Sequence, residues 1–159
     1  MSVMIQSGRL QNLPVADAEN LSAALALMQA GIGDLNRASG QEIAAHARRM
    51  GQALAEEGWR LVYGAGDVGL MGEVARAAQG AGGETFGVIP AHLVAWEVGK
   101  TDLTSYVVTE TMHERKKVMF MNAQAVVVLP GGAGSLDELF EVLTWRQLGL
   151  HEKPVIVLN

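Results

Sequence analysis

From Gln41 onward the chain alternates helical spacing with short apolar runs, and no other feature constrains its fold as strongly. Gln41–Glu57 places Ile43, Ala44, Ala47, Met50, Ala53 and Leu54 at the spacing of an amphipathic helix, and Gly58 stops it. Arg60–Tyr63 reads as a buried strand, Leu70–Ala81 as a helix closed by Gly82-Gly83, and Thr85–Ile89 as a strand ended by Pro90. Ala91–Asp102 has no clean period and reads as a loop or a short irregular helix. Ser105–Thr109 alternates like a strand, and Met112–Asn122 has helical spacing. Ala125–Leu129 is the strongest strand pattern. In the helix expected over Leu136–Leu148, Leu136, Leu139, Phe140 and Leu143 share one face. Pro154–Leu158 is a last apolar strand. Apolar strands alternating with helices imply a doubly wound α/β fold, a parallel sheet covered on both faces. Such sheets bind ligands beyond the carboxyl ends of their strands.

Residues 1–40 differ from the rest and are expected to be an atypical N-terminal segment, weakly structured or helical, before the α/β domain over 41–159. Met1–Gln6 can make a short strand with Ser7-Gly8 as its turn, and Asn12–Ser39 reads as one weak helix. Leu21–Gly31 resembles the apolar part of a signal peptide, but Asp17 and Glu19 stand where positive charge is expected. The expectation is a cytoplasmic protein, with no apolar stretch long enough to span a bilayer. A net charge of −5 argues against a broad nucleic-acid surface. The absence of cysteine excludes disulfides and thiolate metal sites. His46, His92, His113 and His151 show no ligand spacing with a partnering acid, so no metal is expected.

Three stretches carry chemistry. Gly64, Gly66 and Gly69 form a GxGxxG pattern between a strand and a helix. No acid ends the following strand, which disfavours a dinucleotide. What remains is either a tight turn or a backbone that a ligand can approach closely. Gly131, Gly132, Gly134 and Ser135 form a second strand-to-helix turn, whose amides can nest a phosphate or carboxylate. No lysine follows it, so it is not a nucleoside-triphosphate loop. Ser135 and Glu138 also fit a capping box, in which both side chains merely seal a helix start. The third stretch, Met112-His113-Glu114-Arg115-Lys116-Lys117, sets a basic cluster at a helix N-terminus, against the helix dipole. Either an anionic ligand compensates, or the cluster is a solvated basic face. Arg115 suits phosphate or carboxylate because its planar fork matches both. Lys116 and Lys117 read as surface residues rather than catalysts.

Taken in order, GxGxxGLMG, GVIP, MHERK, PGGxGSxxE, EVLTWxQLG and KPV resemble the Lonely Guy family, once labelled lysine decarboxylase-like, from about residue 44 to 159. The resemblance implies a Rossmann-like fold and a homodimer or larger assembly with sites near the interface. It implies hydrolysis of the N-glycosidic bond of cytokinin riboside 5′-monophosphates, and often AMP, to free base and ribose 5-phosphate, with no cofactor. It assigns catalysis to Arg115 and Glu138, and phosphate binding to Gly131, Gly132, Gly134 and Ser135. Gly64, Gly66, Gly69, Met112 and Lys116 complete the expected substrate contacts. Ser135 stands where the family more often has Thr, and Ala65 replaces the middle glycine of a triple-glycine turn. Family members also open with a strand leading to a Cys-Gly-Ser-Ser-like loop, of which Ser7-Gly8-Arg9 is a faint echo.

Two other readings remain open. One is a non-catalytic nucleotide-binding protein of the same superfamily. The other is a pyridoxal-phosphate decarboxylase, which needs a Schiff-base lysine; none of Lys100, Lys116, Lys117 and Lys153 has a setting that argues for one.

Overall fold

The computed structural model describes residues 2–7, 40–94 and 102–158. The expected helix over Asn12–Ser39 and the Leu21–Gly31 segment lie outside them. Six strands form one sheet: β1 (Ser2–Ser7), β2 (Trp59–Tyr63), β3 (Thr85–Pro90), β4 (Ser105–Thr109), β5 (Ala125–Val128) and β6 (Val155–Val157), in the order β4-β3-β2-β1-β5-β6. The helices are α1 (Gly40–Glu56), α2 (Gly69–Gly80), the single turn α3 (Ala91–Val94), α4 (Met112–Met121) and α5 (Ala133–Gln147).

Local chemistry sets most of these boundaries. Gly58 ends α1 at φ 69°, a left-handed value that a side chain disfavours. All four residues of β5 are buried, as a strand covered on both faces requires. On one face of the sheet, Met50 and Leu54 of α1 and Val74 and Ala78 of α2 pack against Ile5, Leu61 and Val127. On the other, Met119 of α4 and Val142 of α5 pack against Met4, Val62, Val88 and Val126. The α/β expectation holds, with helices on both sides.

The sheet is mixed, however, where a parallel one was expected. The pairs β2–β3, β3–β4 and β5–β6 are parallel. β1 runs antiparallel to both neighbours, with Met4 opposite Val62 and Ser2 opposite Val128. Its alternation still serves both cores, Met4 facing one and Ile5 the other. Period-two patterning specifies faces and is blind to strand direction. Ser7 therefore pairs with Trp59 at the amino end of β2. That places Ser7 at the end of the sheet opposite the carboxyl ends of the parallel strands, while Gly8 and Arg9 lie outside the described residues.

Strand order reverses around β1, with β2, β3 and β4 to one side and β5 and β6 to the other. The turns after β2 and β5 thus emerge at a topological switch point, where open α/β sheets place ligands.

Candidate functional site

β2 ends at Tyr63, and Gly64–Val68 leads into α2. Ala65 is fully buried at φ 59°. A residue with a Cβ incurs about 1–2 kcal/mol there, so the surrounding structure must hold the turn. Arg76 does so from α2. Its Nη1 donates to the Asp67 carbonyl at 2.9 Å and to Asp67 Oδ1 at 2.7 Å, and its Nη2 donates to Glu73 Oε1 at 2.9 Å. The glutamate's pKa is lowered, first by hydrogen bonds from Arg48 and then by those from Arg76.

The held turn receives Arg115. The guanidinium lies so close to Gly64 that a methyl group on that residue would run into Nη2. Nε donates to the Val88 carbonyl at 3.2 Å, and Nη1 lies 3.6 Å from Glu138 Oε1. The last distance is an ion pair, too long for a hydrogen bond. Arg115 is 8% exposed and Glu138 9%. Charges this buried are retained only when paired. Residues from β2, β3, α4 and α5 therefore converge at one point.

α4 begins with a capping box that the basic cluster concealed. Thr111 accepts from the Glu114 amide at 3.2 Å, and Glu114 Oε2 accepts from the amides of Glu110 at 2.8 Å and Thr111 at 3.3 Å. A helix start welcomes an acid, so Glu114 supplies the compensation expected of a ligand. This N-terminus is closed.

α5 begins differently. Its N-cap is Gly132, which contributes no side-chain cap, and the helix starts at Ala133. Ser135 and Glu138 thus lie inside the helix and do not form the capping box considered above. Gly131, Gly132, Ala133 and Gly134 are exposed, and a Cβ built on Gly132 or Gly134 would meet nothing. Packing does not explain these two glycines. Glycine within a helix sacrifices about 1 kcal/mol relative to alanine, and a bare, positive helix end that an anion can approach explains the choice.

Lys116 is buried rather than superficial. Its Nζ lies 3.1 Å from Asp137 Oδ2 and 2.8 Å from Glu141 Oε2. Lys116, Glu138 and Glu141 also share the lining of a narrow crevice between α4 and α5, with Met119, Val142 and Trp145 among its apolar walls. Gly66 is buried in the turn after β2, whereas Gly69, Met112, His113 and Lys117 are exposed. Sequence reasoning missed the contributions of Asp137, Glu141 and Arg76. The i, i+4 spacing of Asp137 and Glu141 was the available signal. Among the described residues, no group of acids and histidines could hold a metal ion, and no helix is long and apolar enough to cross a membrane.

A glycine turn opening a bare helix start and a buried Arg–Glu pair lie at the switch point of a mixed sheet with helices on both faces, and that arrangement defines the class: a Rossmann-like α/β protein. A family model described as "Possible lysine decarboxylase" matches residues 71–159, more than half of the chain. The chain belongs to that family, the Lonely Guy family. It is 48% identical over 113 residues to the cytokinin riboside 5′-monophosphate phosphoribohydrolase of Mycobacterium tuberculosis, covering 71% of this chain and 60% of that protein. It is 47% identical to the enzyme of that name, LOG, from Oryza sativa, covering 71% and 47%. The chain therefore spans about 60% or less of the length of these relatives. Among solved structures it resembles the molybdenum cofactor binding protein of Rippkaea orientalis, with TM-score 0.61 and 27% identity over 72% of this chain and 66% of that one. It also resembles the molybdenum cofactor carrier protein of Chlamydomonas reinhardtii, with TM-score 0.58 and 25% identity over 74% and 66%.

Proposed function

We propose that the protein hydrolyses the N-glycosidic bond of purine nucleoside 5′-monophosphates, cytokinin ribosides or AMP, releasing free base and ribose 5-phosphate. One observation carries this reading: Glu138 is buried beside Arg115, in the second turn of a helix whose amino end is a bare glycine loop. A 5′-phosphate on the Gly131–Gly134 amides and the Ser135 hydroxyl brings the sugar of the same nucleotide toward the Glu138 carboxylate.

Breaking the C1′–N9 bond builds positive charge on the ribose, as in glycoside hydrolysis. The Glu138 carboxylate stabilises that charge. Water adds to C1′, and the base departs with a proton. Arg115 orients Glu138, its neighbour at 3.6 Å, and its charge is available either to the ribose phosphate or to the departing base. Gly64 and Gly66 let the backbone beside Arg115 approach the ligand, with Met112 as a further substrate contact. No cofactor is required. The protein acts in the cytoplasm on a small-molecule substrate.

The assembly is a homodimer. Leu136, Phe140 and Leu143 form an apolar stripe on α5 that is 51%, 63% and 40% exposed, continuous with the helix that bears Glu138. A second copy is its natural cover.

Incubation with AMP and with isopentenyladenosine monophosphate, followed by chromatography, should show free base. Glu138→Gln should bind AMP nearly as well, by thermal shift, while base release falls by on the order of 10²–10³ or more. Normal turnover by that variant would discard the mechanism. The likeness to cofactor carriers favours one rival, a protein that binds a phosphorylated ligand without cleaving it. Tight AMP binding with no free base from the unmodified protein would select it.

A further inference from the structure

We propose that Lys116 is a positioning residue for the Glu138 carboxylate, acting through the two acids that flank Glu138 on α5. The inference rests on Glu138 being the group that faces the sugar. Arg115 and Lys116 are consecutive on α4, and both reach α5. Arg115 meets Glu138. Lys116 meets Asp137 and Glu141, the residues just before and one turn after Asp137's neighbour. Spaced i, i+4, those two acids share a face and form a fork around one ammonium.

The asymmetry of burial gives the fork its direction. The Lys116 side chain is 9% exposed, against 22% for Glu141 and 61% for Asp137. The lysine has entered the α4–α5 seam, and the acids meet it there. Burial works against its charge, but hydrogen bonds to Glu141 and Asp137 outweigh burial and hold its pKa above the ordinary lysine value. A charge kept in that way is permanent at neutral pH.

Two effects on Glu138 follow. The first is geometric: a clamp on both sides of residue 138 fixes the α5 turn that sets the 3.6 Å separation from Arg115. The second is electrostatic. α5 places three carboxylates within five residues, and α4 answers with Arg115 and Lys116, while β1 presents only apolar Met4 to the crevice. His113 and Lys117 of α4 are exposed. With Lys116 neutralising its neighbours, Glu138 has Arg115 as its counter-charge. Without Lys116, Asp137 and Glu141 bring uncompensated negative charge beside the Arg115–Glu138 pair.

The test is the pH–rate profile of AMP hydrolysis for Lys116→Met and Lys116→Arg, with KM, thermal stability and a crystal structure of each. Lys116→Met should lower kcat by about 10–100-fold with KM nearly unchanged, as expected of a displaced catalytic group. Its acid limb should move up by about one pH unit. Lys116→Arg should restore most of both. In the Lys116→Met crystal, the Glu138 carboxylate should leave Arg115. A raised KM with unchanged kcat would overturn the inference in favour of direct phosphate binding. Lost thermal stability with an unmoved pH profile would overturn it in favour of a simple helix staple. If Lys116→Met does not fold, Lys116→Gln carries the same expectations. Failure of the unmodified protein to release base would sink the proposed reaction alone. The crystal structure then decides this inference, and a Glu138 still seated beside Arg115 in the variant overturns it.

Discussion

Gly64 shows how much of the site is a matter of single atoms. A methyl group there collides with the end of a flexible side chain, Arg115 Nη2, rather than with backbone. The arginine can swing away, but only by leaving Val88 and Glu138. Gly64→Ala should therefore harm function more than stability. AMP hydrolysis should fall by about tenfold or more, while calorimetry shows a loss of no more than about 1–3 kcal/mol, the usual range for overpacking. A fully active variant would mean that the guanidinium position is not needed. At this scale residue type and spacing left Arg115 and Glu138 with two readings each, and the family resemblance is what singled them out. The burial of Lys116 was not legible, because it depends on two acids that follow more than twenty residues later.

Two helix starts divide the labour between closure and opening. α4 is sealed by Thr111 and Glu114, which leaves its basic residues free to point at other elements. Thr111→Ala removes the acceptor for the Glu114 amide and should destabilise the protein by about 1 kcal/mol, within the usual 0.5–2 kcal/mol for a lost cap. Urea unfolding measures it, and an unchanged midpoint would show that the box is redundant. α5, opened by Gly132, starts three residues before its expected beginning at Leu136. The pattern was read from the first periodic leucine, and glycines carry no period. The four apolar residues expected to share a face are divided between core and surface. Ser135, Glu138 and Val142 are buried and Leu139 packs against the core beside them, while Leu136, Phe140 and Leu143 face out. The spacing correctly identified a stripe, but nothing in one helix says whether its own sheet or another chain covers that stripe.

The whole molecule is organised by a strand that runs the wrong way. β1 fills the centre of the sheet, so β2 and β5 stand two strand spacings apart, on the order of 10 Å. The gap between their carboxyl ends is bridged by Arg115 reaching from α4 to Glu138 on α5. On this layout the α5 stripe lies outside the fold. Phe140→Ser should therefore leave the monomer's thermal unfolding almost unchanged and convert a dimer to a monomer in light scattering. A variant that stays dimeric would place the contact elsewhere.

Periodicity and glycine placement were sufficient to identify the alternating elements and the two strand-to-helix turns, and the motifs in their order singled out Arg115 and Glu138 through the family resemblance. Each is carried by one short segment, and local backbone preferences act within that range. Tertiary structure alone decided the direction of β1, the face of α5 that meets the sheet, and the burial of Lys116 between Asp137 and Glu141. Those outcomes depend on surfaces and charges brought together from distant parts of the chain, and their free energy exists only once the segments meet.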